Sequence, residues 1–505
     1  MSLLRRIAAA AALSTACVAG ASADTALPPV GIDSGLVAGT TRDGVNRFFG
    51  IPYAAPPVGD LRWKAPQPVE PWKDVKDASA FGPVCRQTVD WIKEPQSEDC
   101  LRVNVWAPAK PGKYPVMVWI HGGGFFGGSG SQMGPDAGNS IVAHDVILVS
   151  INYRLGVLGF FAHPELSAES PNHGSGNQGI LDQIAALKWV QKNIAAFGGD
   201  PDRVTVFGES AGGGAASLLT MSPEAKGLFH RAIAESGTAD TLPSKADAEK
   251  RGADFAIAQG ASHLADLRKL DVDKLIKQPW HGEPNNDGYA LPENMAEGYA
   301  SGRHNMVPVI TGWNSDEGPD LAPEMMGGKP ITAAKYQAAV QRFTGPLAPQ
   351  ILQIYPGHND TEAEASAYRL STDMMGFSAY KWGTQQVAAK TAPPAYLYYF
   401  VHWPAEPTTP CTYGCKAGHG AEIKFAFDQL ALDPRTWTAD DKLLAEQMVR
   451  YWTNFAKTGN PNSEGLPEWK TFDGTPETVK RLGSETEIKA RGVFPDFRAY
   501  LQMLR

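Results

Sequence analysis

Ser210 stands in Gly208-Glu209-Ser210-Ala211-Gly212, directly after the apolar run Val204-Thr205-Val206-Phe207 and before Gly213-Gly214-Ala215-Ala216. A strand that stops at Gly-x-Ser-x-Gly and re-emerges as a helix must turn sharply, with the serine in a strained backbone conformation that lifts its Oγ clear. A side chain two positions either way would collide with the neighbouring strand or helix. The chain is therefore constrained to bring a buried strand and a helix together at one presented hydroxyl. That hydroxyl needs a base, and the base needs an orienting acid.

The surrounding pattern supplies a sheet for the turn. Val116-Met117-Val118-Trp119-Ile120 and Val146-Ile147-Leu148-Val149-Ser150-Ile151 are continuous apolar runs, as suits strands buried on both faces of a parallel sheet. Ile180, Ile184, Leu187, Val190, Ile194 and Phe197 recur at helical spacing. Gly198-Gly199-Asp200-Pro201 then returns the chain to a strand. Further short strands are expected at Ala232 to Glu235, Val309 to Thr311 and Tyr396 to Val401. This alternation predicts an α/β fold with a central, mostly parallel sheet flanked by helices. Helical segments predominate from Lys245 to Pro308 and from Pro319 to Pro393, and are expected as insertions over the sheet's catalytic edge. Length alone would suggest about three domains. No Ser/Gly linker, repeat or low-complexity tract divides the chain, so residues 24–505 are expected to form one domain.

Arg5 and Arg6, the apolar stretch Ile7 to Ala19 and Ala21-Ser22-Ala23 read as a secretory signal at residues 1–23, cleaved after Ala23. The mature chain is then exported, to the periplasm or the medium. The apolar stretch is too short for a membrane anchor. The net charge of −8 becomes −10 without the two arginines, which argues against nucleic acid and anionic membrane as partners. Cys85, Cys100, Cys411 and Cys415 remain after cleavage, an even number that favours two local disulfides in an exported chain. Cys411-x-x-x-Cys415 has no partner pair at zinc spacing, so no metal is expected.

The strand–Gly-x-Ser-x-Gly–helix segment is similar to the nucleophile elbow of α/β-hydrolases, where nucleophile, acid and histidine follow in that order. Of the histidines C-terminal to the acid candidates, His358 falls in a turn and His402 at the end of a strand. His419, in the loop Ala417-Gly418-His419-Gly420, is the expected base. Asp316-Glu317-Gly318 follows the strand Val309-Ile310-Thr311-Gly312-Trp313 and supplies the acid; the residues alone leave Asp316 and Glu317 both open. His121-Gly122-Gly123-Gly124-Phe125 follows an upstream strand. Its side-chain-free backbone, with Gly123 and Gly124 as donors beside the N–H of Ala211, suits a developing oxyanion. Gly122-x-Gly124-x-x-Gly127 also matches a dinucleotide fingerprint. Gly128, Gly130, Gly134 and Pro135 break the helix that fingerprint requires. Trp313 and Phe125 are candidate pocket walls.

From about Gly35 to Asn462 the chain resembles the type-B carboxylesterases, the cholinesterase-like branch of the α/β-hydrolases. The resemblance rests on Phe49-Gly50-Ile51-Pro52-Tyr53-Ala54, Ser97-Glu98-Asp99-Cys100-Leu101, Asn152-Tyr153-Arg154-Leu155-Gly156, Asn177-Gln178-Gly179 and Gly459-Asn460-Pro461, together with the elbow. It implies Glu317 as the acid, His419 as the base, a Cys85–Cys100 disulfide and an Arg62–Glu98 ion pair. It also implies that Ser236 supports the acid and that Glu209 is a carboxylate beside the nucleophile. The expected activity is hydrolysis of small-molecule carboxylic esters through an acyl-enzyme, without cofactor. The same machinery could act on an amide, lactone or carbamate. A non-catalytic cholinesterase-like binding protein would lack one member of the site. Cys411–Cys415 is not a general family feature and is expected to stiffen the loop leading to His419.

Overall fold

The computed structural model describes residues 23–492, apart from 240, 281, 390–391, 406–410, 412 and 434. Residues 1–22 of the secretory signal read from the sequence lie outside the described residues.

An 11-stranded mixed sheet runs through the molecule. Its strands in chain order are β1 (Thr25–Ala26), β2 (Thr40–Arg42), β3 (Val45–Pro52), β4 (Arg102–Pro108), β5 (Tyr114–Ile120) and β6 (Ile147–Ile151). They continue with β7 (Gly199–Glu209), β8 (Arg231–Glu235), β9 (Val309–Asn314), β10 (Ala395–Phe400) and β11 (Lys480–Leu482). The spatial order is β1-β2-β3-β4-β6-β5-β7-β8-β9-β10-β11. Pairing is antiparallel up to β4–β6 and parallel from β6 to β11. The chain leaves β5, crosses to β6 on one side, and returns to β7 on the other. Such a reversal opens a crevice at the carboxyl ends of the strands. The glycine loop after β5 and the elbow after β7 both emerge there.

Alternate residues of each strand feed two cores, as the pleat requires. Val116, Val118 and Ile120 of β5 face one core with Val204 and Val206. Met117 and Trp119 face the other with Phe207 and Ile233. The first core is closed by helices α1 (Gln178–Asn193), α2 (Ala211–Met221) and α3 (Asp360–Ala388), which contribute Ile180, Leu187, Ala215, Leu219 and Trp382. The second is closed by α4 (Ile423–Ala426) and α5 (Ala439–Thr458) through Phe425, Met448, Trp452 and Phe455. Each fully buried aliphatic side chain in these layers stabilises the fold by about 1.5–3 kcal/mol.

The architecture is the α/β-hydrolase fold expected from the sequence, with helical insertions. One placement differs. The helix α3 does not only overhang the catalytic edge; it lies on β9 and β10 and covers the sheet face there. Trp313 is correspondingly a core residue, fully buried and stacked on Tyr399, with ring centroids 4.9 Å apart. It shares a face with Val309, so the strand's parity turns it toward α3 rather than into a pocket. Among the described residues no helix is long and apolar enough to cross a membrane.

Candidate active site

Ser210 connects β7 to α2 with φ +54° and ψ −122°, a conformation that L residues rarely hold without support. The support is contact on both sides. A Cβ at Gly208 would lie 2.4 Å, and one at Gly212 2.0 Å, from the carbonyl oxygen of Ile120. Only hydrogen fits at either place, so β5 and the elbow hold each other in register. The Ser210 N–H donates to Glu235 O at 2.8 Å, and Gly214 N–H donates back to Ser210 O at 2.8 Å.

The hydroxyl meets an imidazole. Ser210 Oγ lies 2.7 Å from His419 Nε2, and His419 Nδ1 lies 2.5 Å from Glu317 Oε2. Glu317 is fully buried, and its other oxygen accepts the Asn314 N–H at 2.8 Å. Asp316, the alternative that the residues left open, turns away: its carboxylate accepts from Ser315 Oγ and Trp403 Nε1. His358 is exposed beside Glu362, and His402 is buried between Asp441 and Glu487. Of the three histidines considered, the structure brings only His419 to the serine.

The glycine loop passes directly over Ser210. A Cβ at Gly122 would come within 3.2 Å of Ser210 Cβ. Gly123 and Gly124 both have positive φ, +98° and +60°. At Gly123 a side chain would strike the Gly127 carbonyl, and at Gly124 the Phe126 ring. Ala211, the first residue of α2, has an N–H without an acceptor inside its own helix, as at any helix start. No helix opens at Gly127, which removes the structural context of a dinucleotide site. Gln87 braces the loop: its side chain accepts from Gly128 N–H at 2.8 Å and donates to the carbonyls of Gly128 and Cys85, each at 2.9 Å. Cys85 is bonded to Cys100, so that disulfide anchors the brace. The Arg62–Glu98 pair also forms, in bidentate geometry at 2.8 and 2.7 Å.

Behind the imidazole lie carboxylates that the sequence reading only partly anticipated. Glu209 Oε1 is 3.3 Å from His419 Nε2, and no hydrogen bond reaches that oxygen from the described residues. Ser236 does not touch Glu317; its hydroxyl donates to Glu422 Oε1 at 3.1 Å. Glu422 Oε2 accepts from Asn314 Nδ2, whose backbone N–H is held by Glu317. Ser236 is thus linked to Glu317 at one remove, through Glu422 and Asn314. Burial pushes the Glu209, Glu235 and Glu422 carboxyls up. For His419 burial works downward, but Glu209 and Glu317 outweigh it and hold the imidazole toward its protonated form. Groups this close titrate as one cluster.

Asp320 is a further residue that the sequence reading missed. Its Oδ2 accepts the N–H of His419 at 2.9 Å and that of Gly414 at 3.1 Å, tying the histidine loop to the segment before it. Cys411 and Cys415 in that segment are bonded to each other. A sequence signal for Asp320 did exist: it lies three positions beyond Glu317, about one helical turn on. Phe125 lies beside α2, with its ring tip 3.9 Å from a Cβ built on Gly214. Among the described residues, no group of three or more His, Cys, Asp or Glu is arranged to hold a metal ion.

A strained serine at a strand–helix turn, hydrogen-bonded to a histidine backed by a buried carboxylate, defines a serine hydrolase of the α/β-hydrolase class. Comparison with known proteins narrows this. Residues 26–495 match the model of the Carboxylesterase family. Fumonisin B1 esterase of Sphingopyxis macrogoltabida is 37% identical over 481 residues, covering 90% of this chain and 86% of that one. Para-nitrobenzyl esterase of Bacillus subtilis (strain 168) is 37% identical over 490 residues, covering 90% and 94%. The solved structure of a thermophilic pNB esterase superposes with a TM-score of 0.79 at 37% identity, covering 90% of this chain and 96% of that one. The chain belongs to the carboxylesterase family, enzymes that hydrolyse carboxylic esters through a serine-bound acyl intermediate.

Proposed function

We propose that Ser210, His419 and Glu317 are nucleophile, general base and orienting acid of this esterase, and that residues 24–505 form one catalytic domain exported after cleavage near Ala23. His419 takes the Ser210 proton as Oγ attacks the ester carbonyl. The N–H groups of Gly123, Gly124 and Ala211 receive the oxyanion as it forms. His419 Nε2–H then protonates the alcohol oxygen and the alcohol departs, leaving the acyl group on Ser210. Water, activated by the same imidazole, releases the acid. Glu317 fixes the ring through Nδ1 and stabilises the imidazolium of each transition state. Glu209 and Glu422 lie behind the ring, and Ser236 holds Glu422. No cofactor enters this scheme.

The observation that carries the reading is the continuous hydrogen-bond line from Ser210 Oγ through His419 to Glu317, at 2.7 and 2.5 Å. The test is Ser210→Ala. Hydrolysis of p-nitrophenyl acetate is expected to fall by about four or more orders of magnitude, and an organophosphate is expected to add its mass to the wild-type peptide bearing Ser210 alone. Turnover near the wild-type rate, or an adduct elsewhere, overturns the assignment.

A further inference from the structure

The small ring closed by Cys411 and Cys415 carries Tyr413. The Tyr413 ring stands edge-on to the His419 imidazole, with centroids 6.3 Å apart and planes at 78°. Tyr413 is 61% exposed, whereas His419 is only 3% exposed. The aromatic thus stands between the imidazole's edge and solvent. Contacts on its C-terminal side place it there. Gly414, at φ +63°, turns the chain back so that a Cβ there would lie 3.4 Å from the His419 carbonyl. Asp320 Oδ2 grips Gly414 N–H and His419 N–H together. Gly418 lies so close to Cys415 that a Cβ would come 2.7 Å from its carbonyl and 2.5 Å from Asp320 Oδ2. The disulfide closes the remaining side of this ring.

The chemistry assigns a side of the substrate to this aromatic. His419 Nε2 protonates the leaving oxygen, so the alcohol portion must project past the imidazole. The oxyanion points the other way, toward Gly123 and Gly124, and that side carries its own exposed aromatics. Phe126 lies against Gly124, and Trp91 against Gly127. A large, exposed ring packed edge-on to the imidazole that donates this proton is placed to meet the alcohol. Aromatic contact with an apolar or aromatic alcohol is favourable there, whereas a methyl or ethyl alcohol is too short to use it.

The geometry points to Tyr413, presented by the Cys411–Cys415 ring, as the residue that selects for bulky apolar or aromatic alcohols on the leaving-group side of the ester. This rests on the reading of His419 as the general base.

The experiment compares benzyl butyrate with ethyl butyrate, which share one acyl-enzyme, so that kcat/KM reports the alcohol-dependent step. In Tyr413→Ala the benzyl-to-ethyl ratio of kcat/KM is expected to fall about tenfold, the scale of one lost aromatic contact. Tyr413→Phe is expected to restore the ratio. Cys411→Ser/Cys415→Ser is expected to move it in the same direction as Tyr413→Ala, because the ring then loses its closure. Along the ethyl acetate, butyrate and hexanoate series, the Tyr413→Ala ranking is expected to match wild type. An unchanged benzyl-to-ethyl ratio in Tyr413→Ala overturns the proposal, as does an equal loss on both esters or a changed acyl ranking. A double cysteine variant with the wild-type ratio overturns the role of the disulfide. His419→Ala run alongside separates the outcomes. If it abolishes turnover while Tyr413→Ala leaves the ratio alone, only the alcohol-side assignment fails; if it does not, the underlying reading fails.

Discussion

Replacing Glu209 by Gln removes a negative charge from beside the His419 imidazole, the proposed base, and leaves the packing almost unchanged. Glu209 Oε1 lies 3.3 Å from His419 Nε2. At an effective dielectric constant of about 20, two unit charges at that separation attract by about 5 kcal/mol. At about 1.36 kcal/mol per pK unit, that would correspond to a displacement of between three and four if Glu209 were fully ionised. Full ionisation is the upper limit: burial pushes its carboxyl up against the pull of His419, and the Glu422 and Glu317 carboxylates push it further. A fall of about one to two pH units in the His419 titration is the resulting expectation. The sign follows from charge. The imidazole is active as a base only when neutral, so the rate rises with pH as it loses its proton. Glu209 favours the proton; Gln does not.

The assay is kcat/KM against pH from 4.5 to 9 for wild type and Glu209→Gln, with spontaneous hydrolysis subtracted. The acidic limb of the variant is expected to sit at lower pH. Its plateau is also expected to be lower, because the imidazolium formed in the transition state has lost a counter-charge. An acidic limb at the wild-type pH, to within about 0.3 of a unit, would refute the claim that the Glu209 charge acts on the base. A limb displaced upward would refute the sign.

Two further outcomes follow from contacts away from the reacting atoms. His402 Nε2 lies 2.6 Å from Asp441 and its Nδ1 2.8 Å from Glu487, an arrangement that favours a proton on both ring nitrogens. Burial opposes that charge, but the two carboxylates raise the His402 pKa above its ordinary 6.5. Burial likewise opposes charge on Glu487, but His402 and the N–H groups of Trp403 and Ser484 bring it down from 4.5 to about 2. The His402 contribution is complete below about pH 6.5 and is lost as pH rises through its folded pKa; that of Glu487 is present above about pH 4.5 and is lost as pH falls toward 2. His402→Gln is therefore expected to cost about 3 kcal/mol between about pH 5 and 6.5, read as a Tm difference that shrinks on the alkaline side; a pH-independent difference contradicts this. Gly212→Ala drives a methyl to 2.0 Å from the Ile120 carbonyl and is expected to cost about 3 kcal/mol in chemical denaturation. A variant with the wild-type midpoint would show that the elbow and β5 are not held as described.

What the sequence makes legible here is what local physics imposes. The runs around Val118, Val149 and Val206 are apolar apart from Ser150 and Thr205 because both faces of those strands are covered. The Ser210 turn is legible because its clashes are with near neighbours in the sheet, so the glycines must be adjacent in sequence. The His419 loop is legible because glycines bracket it. The choice between Asp316 and Glu317 is of another kind. Both follow β9, and nothing local separates them; the longer side chain reaches back past Asn314 to the imidazole, while the shorter one caps Ser315 and meets Trp403. Trp313 misleads for a related reason, since an aromatic at a strand end suits a pocket wall as well as a core. The parity of β9, which aligns Trp313 with Val309, decides it only once the position of the helix α3 is known.

The residues that stayed hidden are those whose partners are remote. Glu422 looks like the start of a helix four positions from Gly418, yet it is fully buried and receives hydrogen bonds from Ser236 and Asn314 on two other strand ends. A carboxylate at a helix start is ordinarily a solvated capping group. Only the convergence of β8, β9 and the histidine loop turns this one into a buried link. The same convergence explains why several like-charged groups can share the space behind one imidazole. Each is anchored by a donor from a different element: Glu317 by Asn314 N–H, Glu422 by Ser236, Glu235 by Trp452 Nε1 at 2.9 Å. Glu209 Oε1 has no such anchor among the described residues. That oxygen stands 3.3 Å from His419 Nε2, on the opposite ring nitrogen from the one that Glu317 holds. Glu209 ends β7 and Ser210 follows it directly, so the same strand end sets the position of both.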